Sequence, residues 1–247
     1  MTPVHSRDRL AAVKHVIESG TDAATLILYD PAVLPSDFDT STHDDPVGLL
    51  EGLHAEGRVY WINTGADGSY SLNAYVDEPI PDYLKPHAHD PITVEAFHVP
   101  SGRLYFVGSE YAGSGIDAAL TRYPHMGGSF NIRPGVYRLT MSRGEYPDGL
   151  QEDLLRQGVT PGAYGLHQAM GCFVWLAILC AFGFAAALVW EFFRPWRPYL
   201  LPLLVFGIGL PFLIARLRLY RETSERYRAI QREYPSCIAR LEWLRPA

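Results

Sequence analysis

The stretch that decides the architecture is Met170–Trp190, MGCFVWLAILCAFGFAAALVW, 21 residues without a charge. As a helix rising about 1.5 Å per residue it spans roughly 32 Å, matching a hydrocarbon core of about 30 Å. It holds nine Leu, Ile, Val and Phe residues. At about −0.3 to −0.6 kcal/mol each, these favour insertion by roughly 3–5 kcal/mol. No polar stripe interrupts it, as one would on a core helix of a soluble protein. Downstream lies a second apolar run of 17 residues, Tyr199–Ala215, YLLPLLVFGIGLPFLIA. Its Pro202 and Pro211 are tolerated in membrane helices. Between residues 166 and 215 the only charges are Glu191, Arg194 and Arg197. The connection Glu191–Pro198 allows only a tight turn, so the two runs read as a transmembrane hairpin.

The flanks set the expected orientation. Trp190, Trp196 and Tyr199, with Tyr164, Phe192, Phe193 and Tyr220, stand where a bilayer interface would be. Arg216, Arg218 and Arg221 open a run of arginines after the second span, against Arg194 and Arg197 in the turn. The positive-inside rule therefore puts the C-terminus in the cytoplasm, and a hairpin puts the N-terminus there too. Met1–Gly20 carries charges throughout and does not read as a secretory signal. Cys172 and Cys180 fall in the first span and Cys237 in the tail, so no disulfide framework is expected. The chain reads as a multi-pass protein of the bacterial inner membrane, with the lipid bilayer as its first partner.

Small residues mark packing faces in the spans: Ala177, Ala181, Ala185 and Gly183 in the first, Gly207 and Gly209 in the second. Such faces let helices approach closely, within the hairpin or between copies in a homo-oligomer. Neither span has an acid or base at its centre, which disfavours proton-coupled transport.

Charge is divided along the chain. Residues 1–165 hold 22 Asp and Glu against 11 Lys and Arg; residues 216–247 hold 8 Arg against 4 Glu. An acidic first half repels phosphates, so nucleic acid is not an expected partner. The organisation read from the sequence is an α+β one. Residues 1–149 form a soluble β-rich domain, 150–165 a polar connector, 166–215 the hairpin and 216–247 a basic helical cytoplasmic tail.

In the first domain, Ser6–Glu18 has Leu10, Val13 and Ile17 at helical spacing before Gly20. Thr25–Tyr29 reads as a buried strand and Pro46–Ala55 as a short helix. Arg58–Ile62 and Tyr70–Val76 alternate as strands around a Gly65–Gly68 turn. Val94–Val99 and Leu104–Val107 flank Pro100-Ser101-Gly102, which reads as a hairpin turn, and Ser129–Ile132 and Val136–Met141 flank Pro134-Gly135. At least six strands with short connections imply an antiparallel sandwich. In the tail, Leu213, Leu217, Tyr220, Tyr227, Ile230 and Tyr234 make one helix face. Pro235 stops that helix, and Ser236 would cap a short second one carrying Ile238, Leu241 and Leu244.

No GxGxxG, P-loop, GxSxG or CxxC pair occurs, so no catalytic residue, cofactor or enzymatic activity is assigned. One cluster has the residue types for a metal: His87-Ala88-His89-Asp90, then Glu95 and His98. Two histidines and a carboxylate would supply three ligands. The spacing resembles the first motif of the cupin family. It departs in the gap from His89 to Glu95, in Pro81 where a glycine leads that motif, and in lacking the later histidine. A polar loop between strands is the plainer account, and no metal is assigned; His87, His89 and Glu95 are the candidates. His43, Asp44 and Asp45 precede Pro46, where an acid caps the helix. His43 would join His87 and His89 only if the fold gathered them. His125-Met126-Gly127-Gly128 reads as turn geometry.

The order of segments over Leu49–Met141 resembles the competence protein J family of nuclease inhibitors. The shared features are an exposed helix, a strand pair, FHVPSG at Phe97–Gly102 and PGVYRL at Pro134–Leu139. That family has no membrane hairpin. The resemblance implies a sandwich-type binding module whose acidic surface meets a protein, such as a basic toxin or nuclease. The expected function is thus a membrane protein with an acidic cytoplasmic recognition domain, serving toxin immunity or defence sensing. The alternatives are a membrane-disrupting effector whose hairpins assemble into a pore, and a metal-dependent enzyme at His87, His89 and Glu95.

Overall fold

A computed structural model describes residues 13–114, 118–189, 207 and 209–247. The chain divides into two compact units: Met1–Tyr146 with Tyr234–Ala247, and Pro147–Glu233.

The first unit is a sandwich of two sheets. Its strands are β1 (Val13–Thr21), β2 (Thr25–Tyr29), β3 (Val59–Asn63), β4 (Gly68–Val76), β5 (Ala88–Val99), β6 (Arg103–Gly108), β7 (Gly127–Asn131), β8 (Gly135–Gly144) and β9 (Cys237–Arg245). The five-stranded sheet runs β1-β4-β9-β8-β5 and the four-stranded sheet β3-β2-β6-β7. All pairs are antiparallel except β4 with β9. Leu26, Leu28, Phe106, Leu72, Phe97, Leu139 and Leu241 meet between the sheets. The four-stranded sheet is covered on its other face as well: Ile27, Tyr29, Tyr105 and Val107 pack under α1 (Pro46–Ala55) and the loop bearing Val33 and Phe38. Burial on both faces is why TLILY reads as an unbroken apolar run.

Thr25–Tyr29 and Pro46–Ala55 form the elements their spacing predicts, residue for residue. Three connections do not behave as hairpins. β3 and β4 lie in different sheets, as do β5 and β6, and β7 and β8. Each turn is a corner at which the chain changes sheet. The Pro100-Ser101-Gly102 corner shows the cause. The buried Asp30 carboxylate, just after β2, accepts from the Ser101 N–H (2.7 Å), the Ser101 hydroxyl (2.6 Å), the Gly102 N–H (3.2 Å) and the Ala32 N–H (3.0 Å). This ties the corner to the four-stranded sheet. Gly102 has φ +80°, and a Cβ there would meet the Ile132 carbonyl oxygen at 2.6 Å.

Two expected helices are strands. Leu10 and the rest of 1–12 lie outside the described residues, but Val13–Thr21 is β1. Its side chains alternate, with Lys14, Val16 and Glu18 exposed and Ile17 and Ser19 buried. That is a period of two, not 3.6. Gly128 permits β1 to approach closely, since a Cβ there would lie 2.5 Å from Ile17 Cγ2. The helix expected after Ser236 is β9. Cys237, Ala239 and Leu241 enter the core between the sheets, and Ile238 joins Tyr75 and Leu84 on the opposite face. Leu244, placed on the expected helix face, is exposed. The basic tail is therefore helical only as far as Glu233, and its last residues complete the first unit's larger sheet.

The second unit contains α3 (Leu150–Gly158), where a connector was expected, then α4 (Pro161–Val189) and, after a helical stretch at 209–216, α5 (Arg218–Glu233). A short helix in the first unit, Ala118–Arg122, is α2. Among the described residues only α4 is long and apolar enough to cross a membrane, through its segment Pro161–Gly183. Most of the second apolar run, with Trp190, Trp196 and Tyr199, lies outside the described residues. Its described part packs on α4: a Cβ at Gly207 would lie 2.8 Å from Cys180 Sγ.

Candidate functional site

The metal candidates are held by other groups. His87 Nδ1 lies 3.2 Å from the Glu145 carbonyl oxygen, and its ring packs on Tyr146. His89 lies 3.7 Å from the Glu145 carboxylate. Glu95 accepts from Arg138 at 2.7 Å, and Arg138 also reaches Glu242 at 3.5 Å. His43 packs on Phe38 and accepts the Asp45 N–H at 3.1 Å. Among the described residues no three His, Cys, Asp or Glu side chains gather to hold a metal ion. Asp45 caps α1 as its position predicts, accepting the Gly48 N–H at 2.9 Å.

A cavity of about 400 Å³ opens at one edge of the sandwich, lined by Tyr60, Trp61, Asp90, Ile92, Arg143 and Cys237 among others. The strand beside it is already partly occupied. Arg143 donates to the Asn63 carbonyl oxygen at 2.6 Å, and His54 Nδ1 accepts the Trp61 N–H at 3.3 Å. These contacts cover polar groups of edge strand β3, which limits strand addition there. Burial pushes the Cys237 thiol up to about 12, so it is held protonated at neutral pH and is a poor nucleophile. Neither the covered edge nor the neutral thiol was legible as sequence, because both depend on which strand ends beside which.

Two surfaces remain with clear chemical character. The first belongs to the sandwich. Its unit carries 20 Asp and Glu against 12 Lys and Arg. Asp37, Asp44, Asp45, Glu51 and Glu56 are exposed along α1 and the loop before it, around an exposed Val47. An acidic rim about an apolar side chain can steer and seat a basic protein. The second surface belongs to α4. Trp175, Leu179 and Phe182 are 68%, 66% and 71% exposed. Phe173, Ala177 and Cys180 form its half-buried side, whereas Ala181, Gly183 and Ala185 are exposed. Of the small residues singled out in that helix, only Ala177 lies on its packed face.

No family model and no curated protein matches the chain. Two solved structures are similar to it. One is described as crocagin biosynthetic gene J, 16% identical, with 54% of this chain and 77% of that chain covered at a TM-score of 0.38. The other is ComJ, inhibitor of the DNA degrading activity of NucA, from Bacillus subtilis, 11% identical, with 53% and 81% covered at a TM-score of 0.31. The resemblance to the competence protein J family is met again here, as a faint one.

Proposed function

We propose that the chain is a membrane-anchored binding protein. Its acidic sandwich captures a basic protein partner, as an immunity factor against a toxin or nuclease or as the sensing part of a defence system. The observation that carries this is the contrast between a charged, closed sandwich and an α4 whose apolar side chains face outward. Exposed Leu and Phe cost about 1.5–3 kcal/mol each relative to burial, so such a helix calls for lipid or protein around it.

The topology of the sandwich supports a hairpin in the bilayer. Gly144 donates to the Ser236 carbonyl oxygen and the Tyr146 hydroxyl to the Pro235 carbonyl oxygen, both at 2.9 Å. The chain leaves the sandwich and re-enters it at one place. A helix that crosses the membrane in between must be followed by one that crosses back. The second apolar run is positioned in the sequence to do so, which keeps both ends of the chain in one compartment. The arginines after it favour the cytoplasm, at a bacterial inner membrane.

The test is membrane fractionation combined with pull-down at low and high salt. The full chain is expected to sediment with membranes. It is expected to recover a basic protein that is lost from D37N/D44N/E51Q and from wild type at high salt. Recovery unaffected by those substitutions, or full solubility without detergent, contradicts the proposal. The pore-forming alternative predicts depolarisation on overexpression, where the binding protein is harmless.

A further inference from the structure

Helix α5 presents two opposed faces. Thr223 and Ile230 are buried on one, which packs within the second unit, and Tyr220 and Tyr227 flank the His167 ring at 5.9 and 5.3 Å. At about 100° per residue, Arg218, Arg221 and Arg228 fall within an arc of roughly 80° on the side turned away from those residues, and the arc also holds Arg232 and one acid, the exposed Glu225. All three are exposed, as is Arg216 just before. The helix is interrupted at Leu217, between the helical stretch 209–216 and α5. Directly upstream, Phe212 and Leu213 are exposed, and so is Leu217 itself. Exposed apolar side chains therefore give way to exposed arginines within a few residues. This is the order a chain meets on passing from hydrocarbon to headgroups.

We infer that Arg216, Arg218, Arg221 and Arg228 form a surface that binds the headgroups of anionic phospholipids. The inference rests on the membrane reading above and adds the chemical class of lipid. Guanidinium groups pair with phosphate oxygens through parallel N–H donors, which favours arginine at such a surface. Glu222 reaches Arg218 at 2.7 Å, but this exposed pair contributes little and leaves the guanidinium accessible.

The experiment uses the full chain in neutral detergent, titrated separately with phosphatidylglycerol, phosphatidylcholine and inorganic phosphate, with bound lipid read by native mass spectrometry. Phosphatidylglycerol is expected to bind about six hundredfold more tightly than phosphatidylcholine, at about fivefold for each of the four arginines. The variant R216Q/R218Q/R221Q, which keeps Arg228, is expected to retain only about fivefold of that preference. The corresponding triple Lys variant should keep most of it, and unchanged melting of both variants shows that folding is intact. Equal binding of the two lipids overturns the inference while leaving the membrane reading standing. Displacement of phosphatidylglycerol by equimolar phosphate also overturns it, since the site then takes a free anion. A chain that stays in solution without detergent and takes up neither lipid overturns both readings.

Discussion

Strand β9 and helix α4 are both apolar, and the chain treats them in opposite ways. Cys237, Ile238, Ala239 and Leu241 are sealed in the middle of a sheet, between β4 and β8. Trp175, Leu179 and Phe182 of α4 are left uncovered. The lesson is that apolar content alone does not say what will cover it. The sandwich supplies its own cover for a strand that arrives last in sequence. Among the described residues nothing covers this face of helix α4.

The sharpest way to break the comparison is to remove the strand. A chain ending at Glu233 leaves one edge each of β4 and β8 unpaired at the sheet's centre and opens the two hydrophobic clusters that β9 enters. The loss is comparable to the whole stability of a domain, about 5–15 kcal/mol. No cooperative unfolding transition is expected by circular dichroism. A cooperative melt would mean that β9 is dispensable.

Single substitutions sharpen the same point. Ile238→Ala is expected to cost about 2–5 kcal/mol and Leu244→Ala under about 0.5, measured by urea unfolding. Comparable costs would restore the helical reading, in which both residues share one face. Asp30→Ala is expected to cost about 3 kcal/mol, because it leaves the Ser101 and Gly102 N–H groups without their buried acceptor. A cost below about 1 kcal/mol would show that the corner stands without it.

The smallest effect is a pH dependence at the edge where β1 meets β7. Burial lowers the pKa of His15, whose ring packs on Phe130 at 4.7 Å. A base with a lowered folded pKa favours the neutral form. Its contribution is fully present above the unfolded value of about 6.5 and is lost as pH falls from there through the folded value. Urea midpoints should therefore fall between pH 7.5 and pH 5, and His15→Phe should flatten that slope. An unchanged slope removes His15 from the account.

What the sequence made legible was whatever rests on local chemistry. The Asp45 cap, the Pro46–Ala55 helix and the fully buried TLILY strand follow from neighbours along the chain. What it hid was pairing at a distance. Turn residues such as Pro100–Gly102 make a corner as readily as a hairpin, and here partners far off in sequence, Asp30 and Ile132, hold the corner. Ile238, Leu241 and Leu244 fit helical spacing until β4 and β8 are known to flank them. His87, His89 and Glu95 carry ligand chemistry, but Glu145 and Arg138 engage them first.

The central claim is that a self-sufficient sandwich carries its apolar helical segment as an insertion between β8 and β9. It is tested most directly by joining Tyr146 to Tyr234 through a few Gly and Ser residues, deleting 147–233. The gap is short, since the Gly144 N–H donates to the Ser236 carbonyl oxygen and the Tyr146 hydroxyl to the Pro235 carbonyl oxygen, both at 2.9 Å. The account predicts a monomeric protein that stays in the supernatant without detergent and melts cooperatively, while the full chain sediments with membranes. An excised protein that aggregates or lacks a cooperative transition, or a full chain equally soluble on its own, contradicts it.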